Sequence, residues 1–180
     1  MIHRLANVHS KSIGEGTLIW QYVIILPEAI IGKNCNINAY CFIENDVVIG
    51  NNVTVKCGVY LWDGMHIEDN VFIGPNATFI NDNHPRSKEY PRKFLRTKLE
   101  YGASVGAGSI ILGGITIGRN AMIGAGSILT KNVPNNTLWM GNPAKQIRYI
   151  CDCGHPLDDD FICTECKNEF TFKENILIKK

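Results

Sequence analysis

Apolar residues recur along this chain with a period of six. Stepping from Ile13 lands on Ile19, Ile25, Ile31, Ile37, Ile43, Ile49, Val55, Leu61, Ile67, Ile73 and Phe79, all of them large and apolar. With 45% of residues hydrophobic, twelve such hits in a row would arise by chance on the order of once in ten thousand trials. Four residues after most of these aliphatics comes a small or apolar partner: Thr17, Val23, Ala29, Cys35, Cys41, Val47, Val53, Val59, Met65, Val71 and Ala77. The frame breaks after Phe79. It resumes at Leu99, Val105, Ile111, Ile117, Ile123 and Leu129, with partners Ala103, Ser109, Ile115, Ala121, Ser127 and Val133.

A period of six is neither helical nor simply alternating. It predicts an all-β chain, a left-handed parallel β-helix of short strands with a turn every six residues and three faces per coil. The aliphatic points inward and its partner fills the corner. Stacked coils share backbone hydrogen bonds and one continuous core. Four coils before the break and two after it predict a six-coil prism roughly 29 Å tall at about 4.8 Å per coil. Gly14, Gly32, Gly50, Gly74, Gly106, Gly118 and Gly124 follow the aliphatic directly, where they are expected to tolerate turn conformations. Cys35 and Cys41 fall at corner positions and read as small core residues; Cys57 lies off the inward register and reads as a bystander thiol.

Composition narrows the function classes. Eighteen Lys plus Arg balance seventeen Asp plus Glu, a formal net charge of +1, which argues against a protein that coats nucleic acid or a membrane surface. The longest apolar run, Tyr22 to Leu26, ends at Pro27, far short of the roughly 20 residues that cross a bilayer. The first ten residues hold no continuous apolar stretch of the kind a signal peptide needs. The expected compartment is the cytoplasm, where seven cysteines are thiols or metal ligands.

The break, residues 81–98, reads NDNHPRSKEYPRKFLRTK. Long loops in compact repeat proteins are functional or disordered. This one carries Arg86, Lys88, Arg92, Lys93, Arg96 and Lys98 against Asp82 and Glu89, and holds Tyr90 and Phe94 as anchors. It reads either as a solvated excursion or as an arm that reaches a neighbouring subunit and faces an anionic ligand such as a diphosphate. His84 is its one histidine, a surface hydrogen-bonder or a catalyst. After Ile150 the composition changes again. Cys151, Cys153, Cys163 and Cys166 form C-x-C-x9-C-x2-C, a four-thiolate set suited to a tetrahedral Zn²⁺, with His155 as a substitute ligand; the alternative is four free thiols. A closed Cys₄ site would be structural, stapling a small zinc-ribbon-like appendage. The expected organisation is residues 1–150 as the β-helix and 151–180 as the tail.

Four segments carry a family resemblance: IWQYVIILP (19–27), CGVYLWDG (57–64), FIGPNATFINDNHPRSKEYP (72–91) and WMGNPAK (139–145). On these, residues 1–150 resemble the hexapeptide-repeat acyltransferases, and among them the bacterial 3-N-acetyltransferases of nucleotide-linked 3-amino sugars used in surface polysaccharides. The resemblance implies a homotrimer with active sites between subunits and acetyl-coenzyme A along the outside of the prism. Two subgroups compete, one acting on dTDP-linked 3-amino-3,6-dideoxyhexoses and one on UDP-linked 2-acetamido-3-amino-glucuronate. The second tends to carry a histidine-rich segment where this chain has Gln21, Tyr22 and Ile24, and PRSKEYP favours the first; the cysteine tail is more like the second.

The same resemblance assigns candidate roles. Asn81 stands nearest the sugar amine, although it could equally be a turn residue closing a hexad. His84 is the base or hydrogen-bond partner, Asp82 a sugar-hydroxyl contact, and Arg86 the pyrophosphate ligand with Lys56 as helper. Tyr22, Tyr60 and Trp62 stack on base or sugar, or pack subunits. Gly106, Ala107, Gly124 and Ala125 would admit the pantetheine arm, and Lys131, Lys145 and Arg148 would meet the coenzyme's phosphates. Two other classes fit less well: a β-helix hydratase, for which only His66 and His84 are suitably placed of the three histidines needed, and a non-catalytic solenoid scaffold, which has little use for a basic arm.

Overall fold

The computed structural model describes residues 1–174 and 176–180 and contains, among them, strands and turns but no helix. Strands of two or three residues recur every six residues and sort into three parallel sheets, the faces of a left-handed prism. Face I begins with Asn7–Val8, face II with Ser12–Ile13 and face III with Leu18–Ile19; strands pair with the strand eighteen residues on in the regular coils, seventeen on in the first pair of face I, and thirty-two on across the loop. The prism has seven coils, not six. Asn7–Val8 already pairs with Ile24–Ile25, Ile2 bridges to Ile19, and Val133 bridges to Ile117 at the other end. The apolar count from Ile13 missed the first coil because its frame is shifted by one residue: six before Ile13 stands Asn7, whereas the inward residue is Val8, which pairs with Ile25 at a spacing of seventeen.

The hexad positions behave as the period predicts. Ile19, Ile25, Ile37, Ile43, Leu61, Ile67, Ile73, Leu99, Ile111 and Ile117 are completely buried, and so in large part are their corner partners. Cys35 and Cys41 are buried core thiols, and burial pushes the Cys41 thiol up to about 11. Cys57 is exposed.

The glycines are corrected in role. Gly14, Gly32, Gly50, Gly74, Gly106, Gly118 and Gly124 do not adopt positive φ; a Cβ there would run into the backbone or side chains of the next coil. Positive φ falls two residues later, at Gly16, Tyr22, Asn34, Tyr40, Asn52, Gly58, Gly64, Asn70, Asn76, Gly102, Gly108, Gly114, Asn120 and Gly126. Asn is used there because it tolerates the left-handed region better than other side chains.

The last coil is closed by an antiparallel hairpin of Thr137–Gly141 and Ala144–Tyr149 on face III. The tail beyond it gathers its own apolar cluster of Cys151, Leu157, Cys163, Phe170 and Leu177 under Tyr149 and Phe161.

Candidate functional site

The 81–98 excursion leaves from the edge between faces I and II, after the strand Thr78–Phe79, and returns as Thr97–Leu99. It is pinched shut at its base, where the Leu95 N–H donates to the Asn81 carbonyl at 3.0 Å. Asn83 then latches it to the next coil: its Oδ1 accepts from the Gly113 N–H at 3.0 Å and its Nδ2 donates to the Gly113 carbonyl at 3.5 Å. Leu95 covers Gly113, where a Cβ would come within 2.8 Å of Leu95 Cδ1. The pair Gly113-Gly114 thus makes room for the loop.

This geometry separates Asn81 from the corner asparagines. Asn45, Asn51 and Asn132 each accept a backbone N–H from a neighbouring coil. Asn83 does the corner work for the coil of Asn81, whose half-buried side-chain amide makes no hydrogen bond within the protomer among the described residues. His84 follows on an exposed turn whose N–H donates to Asp82 Oδ1 at 2.9 Å, so one Asp82 oxygen is engaged in shaping the loop. Arg86 donates to the Pro85 carbonyl at 2.9 Å and is otherwise open to solvent.

The basic arm divides by partner. Arg96 pairs with Asp46 at 3.1 Å, and Lys98 with Glu68 at 2.7 Å and Glu100 at 3.3 Å. The hydrogen bond from Lys98 holds the Glu68 carboxyl below its ordinary range and raises the Lys98 ammonium in return. Arg86, Lys88, Arg92 and Lys93 form no ion pair among the described residues and remain free for an anion.

Face I below the loop is aromatic. Tyr22, Ile24, Tyr40, Phe42, Tyr60 and Trp62 line an open groove of about 490 Å³. Tyr22 stacks on Tyr40 with ring centroids 5.1 Å apart, and Trp62 meets Tyr60 and Phe42 at 5.8 Å each. Tyr40 and Phe42 were missed by sequence reasoning. The eighteen-residue coil repeat is the signal that finds them, because Tyr40 stands one coil above Tyr22, and Phe42 one coil below Tyr60.

The remaining candidates lie elsewhere. Lys56, Gly106, Ala107, Gly124 and Ala125 occupy the edge between faces III and I, in successive coils above Tyr22 and Tyr40. Gly74, Gly106 and Gly124 stack there in successive coils, each covered closely by the next, and Met140 covers the last, its Cγ 2.5 Å from where a Cβ on Gly124 would sit. Lys131 lies over the Trp139 ring at 5.3 Å, and Lys145 and Arg148 are exposed on the closing hairpin. One protomer therefore carries the loop and the glycine–alanine corners on two different edges of the prism, with the aromatic face between them.

In the tail, Cys151, Cys153, Cys163 and Cys166 bring their sulfurs within 4.8 Å of one another, and this is the only such group of His, Cys, Asp or Glu side chains among the described residues. Cys151 to Cys166 and Cys153 to Cys163 are 3.5 Å, and Cys153 to Cys166 is 3.6 Å. A tetrahedron with metal–sulfur bonds of about 2.3 Å has sulfur–sulfur edges of about 3.8 Å, so the cluster fits a metal ion. Burial pushes Cys151 up to about 12. At Cys163 burial also acts upward, but the N–H groups of Glu165 and Cys166 win and bring it down to about 6. Those N–H groups would stabilise thiolate ligands. His155 Nδ1 is 3.6 Å from Cys153 Sγ, beside the cluster and outside the four-sulfur set.

A three-sided parallel prism of six-residue repeats, interrupted by one basic loop, is the architecture of a hexapeptide-repeat protein. The chain belongs to the bacterial transferase hexapeptide family, whose six-repeat model matches residues 10–45, 46–81 and 97–131 and so skips the loop. It is 51% identical over 179 residues, covering 98% of this chain and 93% of the relative, to the dTDP-3-amino-3,6-dideoxy-α-D-galactopyranose 3-N-acetyltransferase of Aneurinibacillus thermoaerophilus. It is 41% identical over 90 residues, 48% of this chain and 44% of the relative, to the galactoside O-acetyltransferase of Escherichia coli strain K12. A Bacillus cereus N-acyltransferase solved with dTDP and coenzyme A shares the fold at a TM-score of 0.60 and 18% identity, over 83% of this chain and 80% of that one.

Proposed function

We propose that this chain is an N-acetyltransferase that moves the acetyl group of acetyl-coenzyme A to the 3-amino group of a dTDP-linked 3-amino-3,6-dideoxyhexose, as a step in making surface polysaccharide. The observation that carries this reading is the 51% identity to the Aneurinibacillus enzyme across 98% of the chain. That span takes in both the loop and most of the cysteine tail, so the tail no longer favours the uronate subgroup.

In the reaction, the lone pair of the neutral sugar amine attacks the thioester carbonyl. The carbon–nitrogen bond forms, the carbon–sulfur bond breaks, coenzyme A leaves as the thiol, and the amine loses one proton. A sugar amine is less basic than lysine, so positioning contributes more than a strong base. Asn81, with its free amide, orients the amine, and His84 accepts or relays its proton. Asp82 presents its second oxygen to a sugar hydroxyl. Arg86 and Lys56 neutralise the diphosphate, while Tyr22, Tyr60 and Trp62 supply flat apolar surface to base and sugar. The edge at Gly106, Ala107, Gly124 and Ala125 takes the pantetheine arm; the Gly106 and Gly124 N–H groups are bonded to the Ile123 and Trp139 carbonyls, which leaves those of Ala107 and Ala125 for a developing oxyanion. Lys131, Lys145 and Arg148 meet the coenzyme's phosphates.

Because the loop and the glycine–alanine corners lie on different edges, the reading requires a homotrimer in which one subunit's loop meets its neighbour's corners. The protein works in the cytoplasm, where both substrates are made. The tail of residues 151–180, beyond the β-helix of residues 1–150, would hold a zinc ion on Cys151, Cys153, Cys163 and Cys166, and with four thiolate ligands that ion would be structural and apart from acetyl transfer.

The test is thiol release from acetyl-coenzyme A with two acceptors. Turnover of dTDP-3-amino-3,6-dideoxygalactose is expected. Turnover of UDP-2-acetamido-3-amino-glucuronate alone would move the chain to the uronate subgroup, and inactivity on both would refute the reading.

A further inference from the structure

The metal loop does more than close on itself. Asp152 sits between the two cysteines Cys151 and Cys153 and is not a ligand in the four-sulfur set. Its Oδ1 accepts from Asn120 Nδ2 at 2.6 Å and from Asn136 Nδ2 at 2.8 Å. Asn120 and Asn136 are the positive-φ corners of the last coils at the edge between faces II and III. Asn136 also holds Ile150 twice, its backbone carbonyl accepting from the Ile150 N–H at 2.8 Å and its side-chain Nδ2 donating to the Ile150 carbonyl at 3.2 Å. A β-helix must cover its terminal coil, because the open rung exposes unpaired backbone and apolar core. Here one carboxylate gathers the last two corners.

The strand Ala144–Tyr149 begins at the far side of face III and ends at this clasp. Tyr149 pairs with Thr137 beside the corner, and Ala144 pairs with Gly141 at the opposite edge. At that opposite edge the Gly141 N–H donates to Ser127 Oγ at 3.2 Å and Met140 covers Gly124. One short hairpin therefore links the cysteine loop to the glycine–alanine edge.

We propose that the four-thiolate site is a metal-dependent clasp. A divalent cation fixes Cys151 and Cys153, Asp152 between them locks the end of the prism, and the closing hairpin is thereby held in position against the glycine–alanine edge. This rests on reading the cysteines as a zinc site and that edge as the coenzyme site.

The test uses the full-length protein in three forms: wild type, Asp152→Ala and Cys163→Ser. Zinc content, hydrogen exchange, and the Kd for coenzyme A and for dTDP are measured for each. Asp152→Ala is expected to keep stoichiometric zinc yet lose amide protection over residues 118–123 and 144–150. Its Kd for coenzyme A should rise roughly tenfold with dTDP affinity unchanged. Cys163→Ser should lose the zinc and reproduce the same two effects. Wild-type protection and coenzyme A affinity in Asp152→Ala would overturn the clasp, as would zinc loss without loss of protection. Should wild type itself fail to bind coenzyme A, the acetyltransferase reading is what falls, and the exchange comparison still decides the clasp.

Discussion

Replacing Gly32 by Ala should damage this fold far more than replacing Gly126 by Ala. At Gly32 an added Cβ would lie 2.5 Å from the Gly50 carbonyl carbon, nearer still to its oxygen, and 2.8 Å from Asn51 Oδ1. Two of these three atoms are backbone of the next coil, so relief requires prising the coils apart. That would strain the Gly32 N–H to Ile49 carbonyl bond of 2.8 Å and the Lys33 N–H to Asn51 bond of 2.8 Å. Overpacking with these two hydrogen bonds weakened costs about 3 kcal/mol. At Gly126 nothing lies within 4 Å of the added atom, and only a φ of +68° opposes it, a cost of about 1 kcal/mol. At roughly 2–4 °C per kcal/mol for a domain of this size, Gly32→Ala should lower Tm by about 6–12 °C and Gly126→Ala by about 2–4 °C. The assay is thermal unfolding followed by far-ultraviolet circular dichroism at one fixed protein concentration, since association would shift both midpoints. An equal or larger loss in Gly126→Ala would refute the assignment of inter-coil approach to one set of glycines and backbone conformation to the other.

Three more outcomes follow from the site. His84→Ala should lower kcat roughly a hundredfold while leaving KM nearly unchanged; near-normal turnover would remove the histidine from the mechanism. Asn83→Ala should release the loop from Gly113 and raise KM for the nucleotide sugar up to about tenfold, the worth of one side-chain-to-backbone hydrogen bond. Asn83→Asp, which keeps the acceptor for the Gly113 N–H, should recover much of that, and steady-state kinetics of the two variants checks it. The Lys98–Glu68 pair sets a pH window. Glu68 is held low, so its contribution is full above the unfolded carboxylate value near 4.3 and is lost as pH falls through the folded value. Lys98 is held high, so its contribution is full below about 10.4 and is lost as pH rises through its raised value. Both groups are partly exposed and screened, so Lys98→Met should cost about 0.2–1 kcal/mol near pH 7 and flatten the acid limb of a urea-denaturation series; an unchanged acid limb would contradict the pairing.

The sequence carried the prism because one physical demand repeats in every coil. An aliphatic every sixth residue is the imprint of a core lined on three sides, and Ile13 through Leu129 needed no tertiary information to show it. The first coil escaped because its frame is one residue out of step: Val8 lies five residues before Ile13, and the six-residue step lands on Asn7 instead. The glycines misled for a different reason. Glycine meets two needs, positive φ and close approach, and only the stacking of Gly32 on Gly50 distinguishes them. Of the candidate site, the chemical types were legible: a basic loop, an aromatic group and a four-cysteine tail. Which basic residues were already engaged was not, because Asp46 is fifty residues from Arg96 and Glu68 thirty from Lys98. The Asn83 latch and the Asp152 clasp were hidden for the same reason, each being a polar contact that the solenoid creates between segments with no common pattern.

The central claim is transfer of an acetyl group to a sugar amine, and the position of that group on the product tests it most directly. The relatives include an O-acetyltransferase as well as an N-acetyltransferase, so nitrogen against oxygen is the decisive distinction. The product formed from acetyl-coenzyme A and dTDP-3-amino-3,6-dideoxygalactose should be analysed by nuclear magnetic resonance. An amide at N3, with every ring hydroxyl free, is the predicted result; an ester on a ring oxygen with the amine intact would contradict it.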